Sequence, residues 1–280
     1  MNNPILRGSE TVAYRDPACI YAGGLYRLFF TLSVKKDGYM YNSLALSESA
    51  DLENWSEPRQ ITRDNRLENY CSPGNILFHN GEYLICVSSY PMPLPFAERP
   101  YADETARLYL LRTADFVHFS EPELIRAKGD IPVEDMGRMI DPYLFRDRDD
   151  TGLFHLFFKQ NGVSHTHSRD LRNWVYDGHT DGGENSCVVL KDGLYHLFHS
   201  PANGVGHKVS RDLITWEDRG IMTLEQDRWT WAQGRLTAGF VMASPTEQGK
   251  YLLFFHGSRR DSFPETHGEA SLGLVVLEGL

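Results

Sequence analysis

A chain of 280 residues with 41% hydrophobic and 12% aromatic side chains can build a full core, which excludes a disordered protein. Its formal charge of −10 argues against a nucleic-acid partner, because phosphates are held by clustered Lys and Arg. No apolar run reaches the roughly 18 residues of a membrane-spanning helix, so no membrane partner is expected.

The chain opens "MNNPILRGSE", without a basic stretch leading into an apolar one, so a cytoplasmic location is expected. The first patterned segment is "YRDPACIYAGGLYRLFF" (14–30), where Arg15-Asp16-Pro17 runs into two apolar stretches around Gly-Gly. It reads as a β-hairpin and is followed by "SADLENW", ending at Trp55. The same unit returns as "CSPGNILFHNGEYLICV" (71–87), followed by "TADFVHF" ending at Phe119. A third copy, "IDPYLFRDRDDTGLFHLFF" (140–158), precedes "SRDLRNW" ending at Trp174. A fourth, "ENSCVVLKDGLYHLFH" (184–199), precedes "SRDLITW" ending at Trp216. The fifth, "AGFVMASPTEQGKYLLFF" (238–255), leads instead into "ASLGLVVLEGL".

Five copies of one strand-turn-strand unit predict an all-β fold, a single five-bladed β-propeller over 1–280. A β-sandwich also holds many short strands but does not repeat one unit five times. In each Ser/Thr-x-Asp segment the Asp caps a turn, and the Trp or Phe that follows fills space between neighbouring blades. Ring closure has two solutions: "LGLVVL" completes the fifth blade by itself, or an N-terminal strand around "ETVAY" is borrowed. The Pro-rich 90–106 and the 257–269 stretch read as long loops, where function and mere decoration are both common. Cys19, Cys71, Cys86 and Cys187 lie far apart with no C-x-x-C pair, which fits reduced thiols rather than a metal or redox site.

In a propeller the first strand of each blade lines the central axis, so the strand entrances converge on one mouth. Counting back from the Gly-aromatic strands aligns Asp16, Ser72, Asp141 and Glu184, with Arg235 or Thr237 in the fifth copy. Three carboxyls around one depression repel one another and spread their pKa values, so that an acid and a base coexist, as glycosidic hydrolysis requires. Asp before Pro is also an ordinary turn pair. The ends of the second strands, Thr31, Ser88, Lys159-Gln160, His199 and His256, form a second ring able to bond sugar hydroxyls. Trp229 and Trp231 offer an aromatic platform or core packing. The "SHTHS" pair His165/His167 is a weak metal signal, and "RDRDDTG" lacks the last ligand of a calcium loop. No catalytic metal or cofactor is expected.

Arg15-Asp16-Pro17 before a Gly-x-Tyr strand, the Asp-Leu-x-x-Trp segments, Ile140-Asp141-Pro142 and the later Glu184 together resemble glycoside hydrolase family 43, with related families 32, 62, 68 and 117. The resemblance spans nearly the whole chain. It implies an inverting, exo-acting hydrolase of oligosaccharides with terminal arabinofuranosyl or xylosyl units. Asp16 is then the general base, Asp141 the acid that orients the proton donor and raises its pKa, and Glu184 the donor. By their positions at the mouth and in the second ring, Arg15, Ser72, Lys159, His199, Arg235 and His256 are the substrate-binding candidates, with structural pairing the other reading for Arg235 and an ordinary surface or core role for the two histidines. The resemblance also implies a structural Ca2+ in the axial channel of some members. The chain departs from family 43 in "GGENSCVV", where Glu-Gly-Pro is usual. A family-117-like hydrolase of anhydro- or galacto-configured sugars with a histidine acid, for which His179 lies close by in sequence, and a sugar-binding propeller without catalysis are therefore the alternatives. Oligomeric state is left open.

Overall fold

The computed structural model describes residues 2–98, 104–259 and 269–280. Aromatic and β-branched runs separated by tight turns give five small antiparallel sheets. The first contains β1 (Val12–Ala22), β2 (Leu25–Lys36), β3 (Tyr39–Ser49) and β4 (Arg59–Gln60). The second contains β5 (Ile76–His79), β6 (Glu82–Ser89), β7 (Arg107–Thr113) and β8 (Glu123–Leu124). The third is β9 (Ile140–Arg146), β10 (Phe154–Lys159), β11 (Val163–Ser168) and β12 (Trp174–Thr180). The fourth is β13 (Glu184–Lys191), β14 (Leu194–Ser200), β15 (Val205–Ser210) and β16 (Glu217–Met222). The fifth has β17 (Arg235–Ala243), β18 (Tyr251–Ser258) and β19 (Ser271–Leu277). Every sheet is a meander in chain order, and the five form the expected propeller.

Side chains on a strand alternate between its two faces, so consecutive phenylalanines fill the gaps on either side of a blade. Phe29-Phe30 on β2, Phe157-Phe158 on β10 and Phe254-Phe255 on β18 are all fully buried. Each contributes about 1.5–3 kcal/mol by leaving water. The repeated turns behave as expected. Asp51, Asp115, Asp170 and Asp212 each accept two backbone N–H bonds through Oδ1, at 2.7–2.9 Å. Trp55 meets Phe254 of the fifth blade and Trp216 meets Phe157 of the third, edge to face. Trp229 and Trp231 stack on Phe255, so they serve packing.

The ring closes by a variant of the two expected solutions. "SLGLVVL" forms β19, the third strand of the fifth blade, and residues 3–6 pair with its outer edge. The Ile5 N–H donates to Leu272 O at 2.8 Å and the Leu272 N–H to Leu6 O at 2.9 Å. Asn3 exchanges two side-chain bonds with the Leu274 backbone, at 2.8 and 2.9 Å. "ETVAY" instead leads into the axial strand β1.

Candidate active site

Each blade enters its axial strand through a β-bulge, and that bulge sets the position of the site. In the first blade Arg15 pairs with Thr31 and Ala18 with Phe29, leaving one extra residue on β1. The same irregularity recurs at Asp141-Pro142, Asn185-Ser186 and Ala238-Gly239, and Ser72-Pro73 follows the Cys71–Ser88 bridge. The first residue of every bulge is left-handed: Asp16 (φ 51°), Ser72 (48°), Asp141 (54°), Asn185 (50°) and Ala238 (54°). Asp and Asn tolerate this conformation better than most residues, and proline's missing N–H is harmless at a bulge. Local backbone chemistry thus accounts for part of the Asp-Pro pattern.

This alignment corrects the sequence count. The blade-equivalent of Asp16 in the fourth blade is Asn185, and in the fifth it is Ala238. Glu184 matches Arg15 instead, paired with Ser200 as Arg15 is with Thr31. Hairpin lengths differ between blades, and counting from the distal strand carried that difference into the site.

The bulges are tied to one another around the ring. The Asp16 N–H donates to His256 Nδ1 (3.1 Å), Ser72 N–H to Thr31 Oγ1 (2.7 Å) and Asp141 N–H to Ser88 Oγ (3.3 Å). The Ala238 N–H donates to Ser200 Oγ at 2.8 Å, and the Asn185 N–H to Asp141 Oδ2 at 3.3 Å. Thr31, Ser88 and His256 of the expected second ring therefore hold the bulge backbone of the next blade, with Ser200 in place of His199 and Asp141 Oδ2 in place of Lys159-Gln160.

Asp16, Asp141 and Glu184 line one cavity of about 340 Å3 at the axial mouth, together with Arg15, Ser72, Arg235 and His256. Asp16 is buried. Its Oδ2 accepts from Thr31 Oγ1 (2.8 Å) and Ser72 Oγ (3.3 Å), and its Oδ1 from Asn185 Nδ2 (3.2 Å). Burial would raise its pKa, but Arg15 and these hydrogen bonds more than offset that and hold it below the ordinary value. Asp141 is equally buried, and burial together with Glu184 and Asp16 pushes its carboxyl well above the ordinary range. His256 is pushed down to about 3 by burial, so it is neutral and its Nδ1 is an acceptor.

Several lining residues were not singled out from the sequence. Arg138 sits 5.3 Å from the Tyr90 ring centroid, and its Nε has no partner among the described residues. Asn185 joins Asp16 to Asp141, and Asn42 helps Ser33 hold the Arg15 guanidinium. Met40, Met92 and Phe96 make an apolar wall. Two of these come from the Pro-rich loop, which is tied down by the Met92 N–H to Arg66 O and the Phe96 N–H to Gly38 O, both 2.7 Å. Residues 99–103 of that loop, and 260–268 of the other, lie outside the described residues. An Asx residue beside the fourth-blade strand entrance was the available signal for Asn185. Nothing in the sequence marked Arg138.

Three expected residues lie elsewhere. Lys159 and His199 are absent from the axial cavity and line a neighbouring depression of about 460 Å3, which also includes Glu184 and Arg235. His199 is buried, pushed down to about 4, and its Nδ1 accepts the Gly183 N–H at 3.0 Å. His179, the alternative acid, is exposed on the outer strand β12 and lines a separate cavity with Trp216 and Asp177. His165 and His167 share Asp177, His165 Nε2 is hydrogen-bonded to His155 Nδ1 at 2.9 Å, and no metal-holding cluster occurs among the described residues. Beneath the bulge ring, a cavity of about 10 Å3 has Asp141 as its one carboxyl among the described lining residues. That donor set does not fit a Ca2+, which takes roughly six to eight oxygens.

No family model matches the sequence, and no curated protein matches it. Solved structures do. A thermostable family-43 glycoside hydrolase matches with a TM-score of 0.66 at 16% identity, over 98% of this chain and 92% of its own. The GH43_1 enzyme from Xanthomonas citri complexed with xylotriose matches at 0.66 and 13% identity, over 95% and 88%. An exo-β-1,3-galactanase from Clostridium thermocellum matches at 0.66 and 16% identity, over 95% of this chain and 59% of its own. At such identities the likeness establishes the fold, a five-bladed propeller of the family-43 kind.

Proposed function

We propose that this protein is an inverting glycoside hydrolase that removes terminal sugars from short oligosaccharides. The observation that carries the reading is the inequivalence of two buried carboxyls in one cavity. Asp16 is held below the ordinary carboxylate range by Arg15, Thr31 and Asn185, while burial, with Glu184 and Asp16 beside it, pushes the Asp141 carboxyl well above that range. Carboxyls whose proton affinities are pushed apart in this way can supply a base and, through the Asp141–Glu184 pair, an acid, which is what inversion at an anomeric carbon needs.

In this mechanism Asp16 takes a proton from water as the water oxygen attacks the anomeric carbon. The glycosidic C–O bond breaks on the opposite face, and Glu184 protonates the departing oxygen. Glu184 suits that role because it borders both the axial cavity and the neighbouring depression. The sugar being cleaved sits in the first and the leaving group in the second. Glu184 draws that proton from the pair it forms with Asp141, and the proton that Asp16 takes from water returns to the pair through solvent. The apolar wall of Met40, Met92 and Phe96 narrows the cavity, which supports exo action on one terminal ring. Arabinofuranosyl or xylosyl units are the first choice, from the sequence resemblance and the xylotriose-bound neighbour. The reading assigns every proton transfer to carboxyls and needs no cofactor. The four free, buried thiols support a cytoplasmic setting.

The test is hydrolysis of aryl arabinofuranosides, xylosides and galactosides by wild type and Asp16→Asn, with proton NMR following the released anomer. The expected result is an inverted product and a loss of about 10²–10⁴-fold in kcat for the variant. A retained anomer would overturn the stereochemistry. Sugar-dependent thermal stabilisation with no turnover on the panel would indicate a binding propeller.

A further inference from the structure

The depression beyond Glu184 has a charge at odds with the rest of the molecule. The chain has 38 acidic and 28 basic residues. Yet among the described residues the axial cavity and this depression together present Arg15, Arg138, Arg235 and Lys159 against only Asp16, Asp141 and Glu184. Two of the four cations belong to the depression, and their protein partners are both neutral. Lys159 Nζ donates to Gly182 O at 3.2 Å and Arg235 Nε to Ala202 O at 3.2 Å. Neither makes an ion pair among the described residues, although both are half-buried. Elsewhere the half-buried Arg27 is paired with Glu48 (2.8 Å) and the buried Lys208 with Asp218 (3.3 Å), whereas Arg107 is enclosed by backbone carbonyls alone.

The remaining surface offers these cations little. Gly182 and Gly183 bring bare backbone there, and His199 is neutral and turned to the Gly183 N–H. A cation kept half-buried without a counter-charge gains most from an anion brought by a ligand, and a guanidinium suits a planar or tetrahedral oxyanion.

We infer that the leaving-group side of the site receives an acidic sugar, one carrying a carboxylate or a sulfate, whose anion is held by Lys159 and Arg235. The placement of the leaving group rests on the hydrolase reading; the anion site itself does not.

Calorimetric titration tests this with galacturonate against galacturonamide, and galactose 6-sulfate against galactose, so that each pair differs in charge. The expected result is about tenfold tighter binding of at least one anion than of its neutral partner. That preference should weaken with added salt and fall to about twofold or less in Lys159→Gln and in Arg235→Gln. The carboxylate and sulfate arms tell the two anions apart. Equal affinity within both pairs in wild type, or a preference that survives in the double variant, would overturn the inference. The wild-type comparison stands even if a variant fails to fold. Because binding is measured without turnover, anion preference in a protein inactive on every glycoside would leave this inference standing and remove the hydrolase reading. Turnover of neutral glycosides without anion preference would do the reverse.

Discussion

Thr31 is fully buried, accepting the Ser72 N–H and donating to Asp16. Thr31→Val keeps the shape but removes both bonds, at a cost of about 1.5–3 kcal/mol because one of them reaches a charged group. The bond lowers the Asp16 pKa, so its loss raises it, and the acidic limb of the kcat/KM profile moves to higher pH. A limb that does not move would mean that Asp16 is not the group titrating there. Asp141 gives the opposite sign. Its folded pKa lies above the unfolded one, so its contribution is fully present below the unfolded value and is lost as pH rises through the folded value. Asp141→Asn, which can still accept the Asn185 N–H, should therefore raise the melting temperature more at pH 7 than at pH 4. It should also lower kcat by about 10²-fold. At this scale the repeat position pointed to Asp16 and Asp141, whereas Glu184 was reached by a count one residue short of the true equivalent, Asn185. The count passed over Asn185 although it holds the repeat position, and Arg138 was concealed because a guanidinium near a tyrosine ring leaves no repeating trace.

Within a blade, the bulge shapes the site and close packing holds it. Gly74 follows the Ser72-Pro73 bulge and lies against the third blade, where a Cβ would fall 1.2 Å from Pro142 O. Pro142 is itself the second residue of the Asp141 bulge. Gly74→Ala therefore has to push two blades apart beside Asp141, at a cost of about 3 kcal/mol or more by chemical denaturation. A smaller loss, with kcat unchanged, would show that the seam can yield. The hairpins and the Ser/Thr-x-Asp turns were legible because each has its own local chemistry, an Asn-Gly or Asp-Gly pair or a carboxylate capping two amides. The bulges were not. They are defined by register between strands, which one strand's sequence does not contain.

For the molecule as a whole, the five repeats and the propeller were evident from periodicity, whereas the closing strand was not. Residues 3–6 show no strand pattern, and they are recruited by the free edge of β19 rather than by their own propensity. Deleting residues 2–6 removes the Ile5, Leu6 and Asn3 bonds to that edge and should cost about 2–4 kcal/mol in denaturant. It should also promote self-association through the uncovered strand. An unaltered denaturation midpoint would show that β19 closes the ring alone. The same contact has a kinetic side. Asn3 and Leu274 are 271 positions apart, so the last blade is finished only when every residue between them has been synthesised. Until then the nascent chain carries an unfilled edge, and ring closure incurs the loop entropy of the whole segment between the two partners. Folding of this protein should accordingly be slow and cooperative, and a ribosome-bound chain lacking its final strand is the form most exposed to chaperones and proteases.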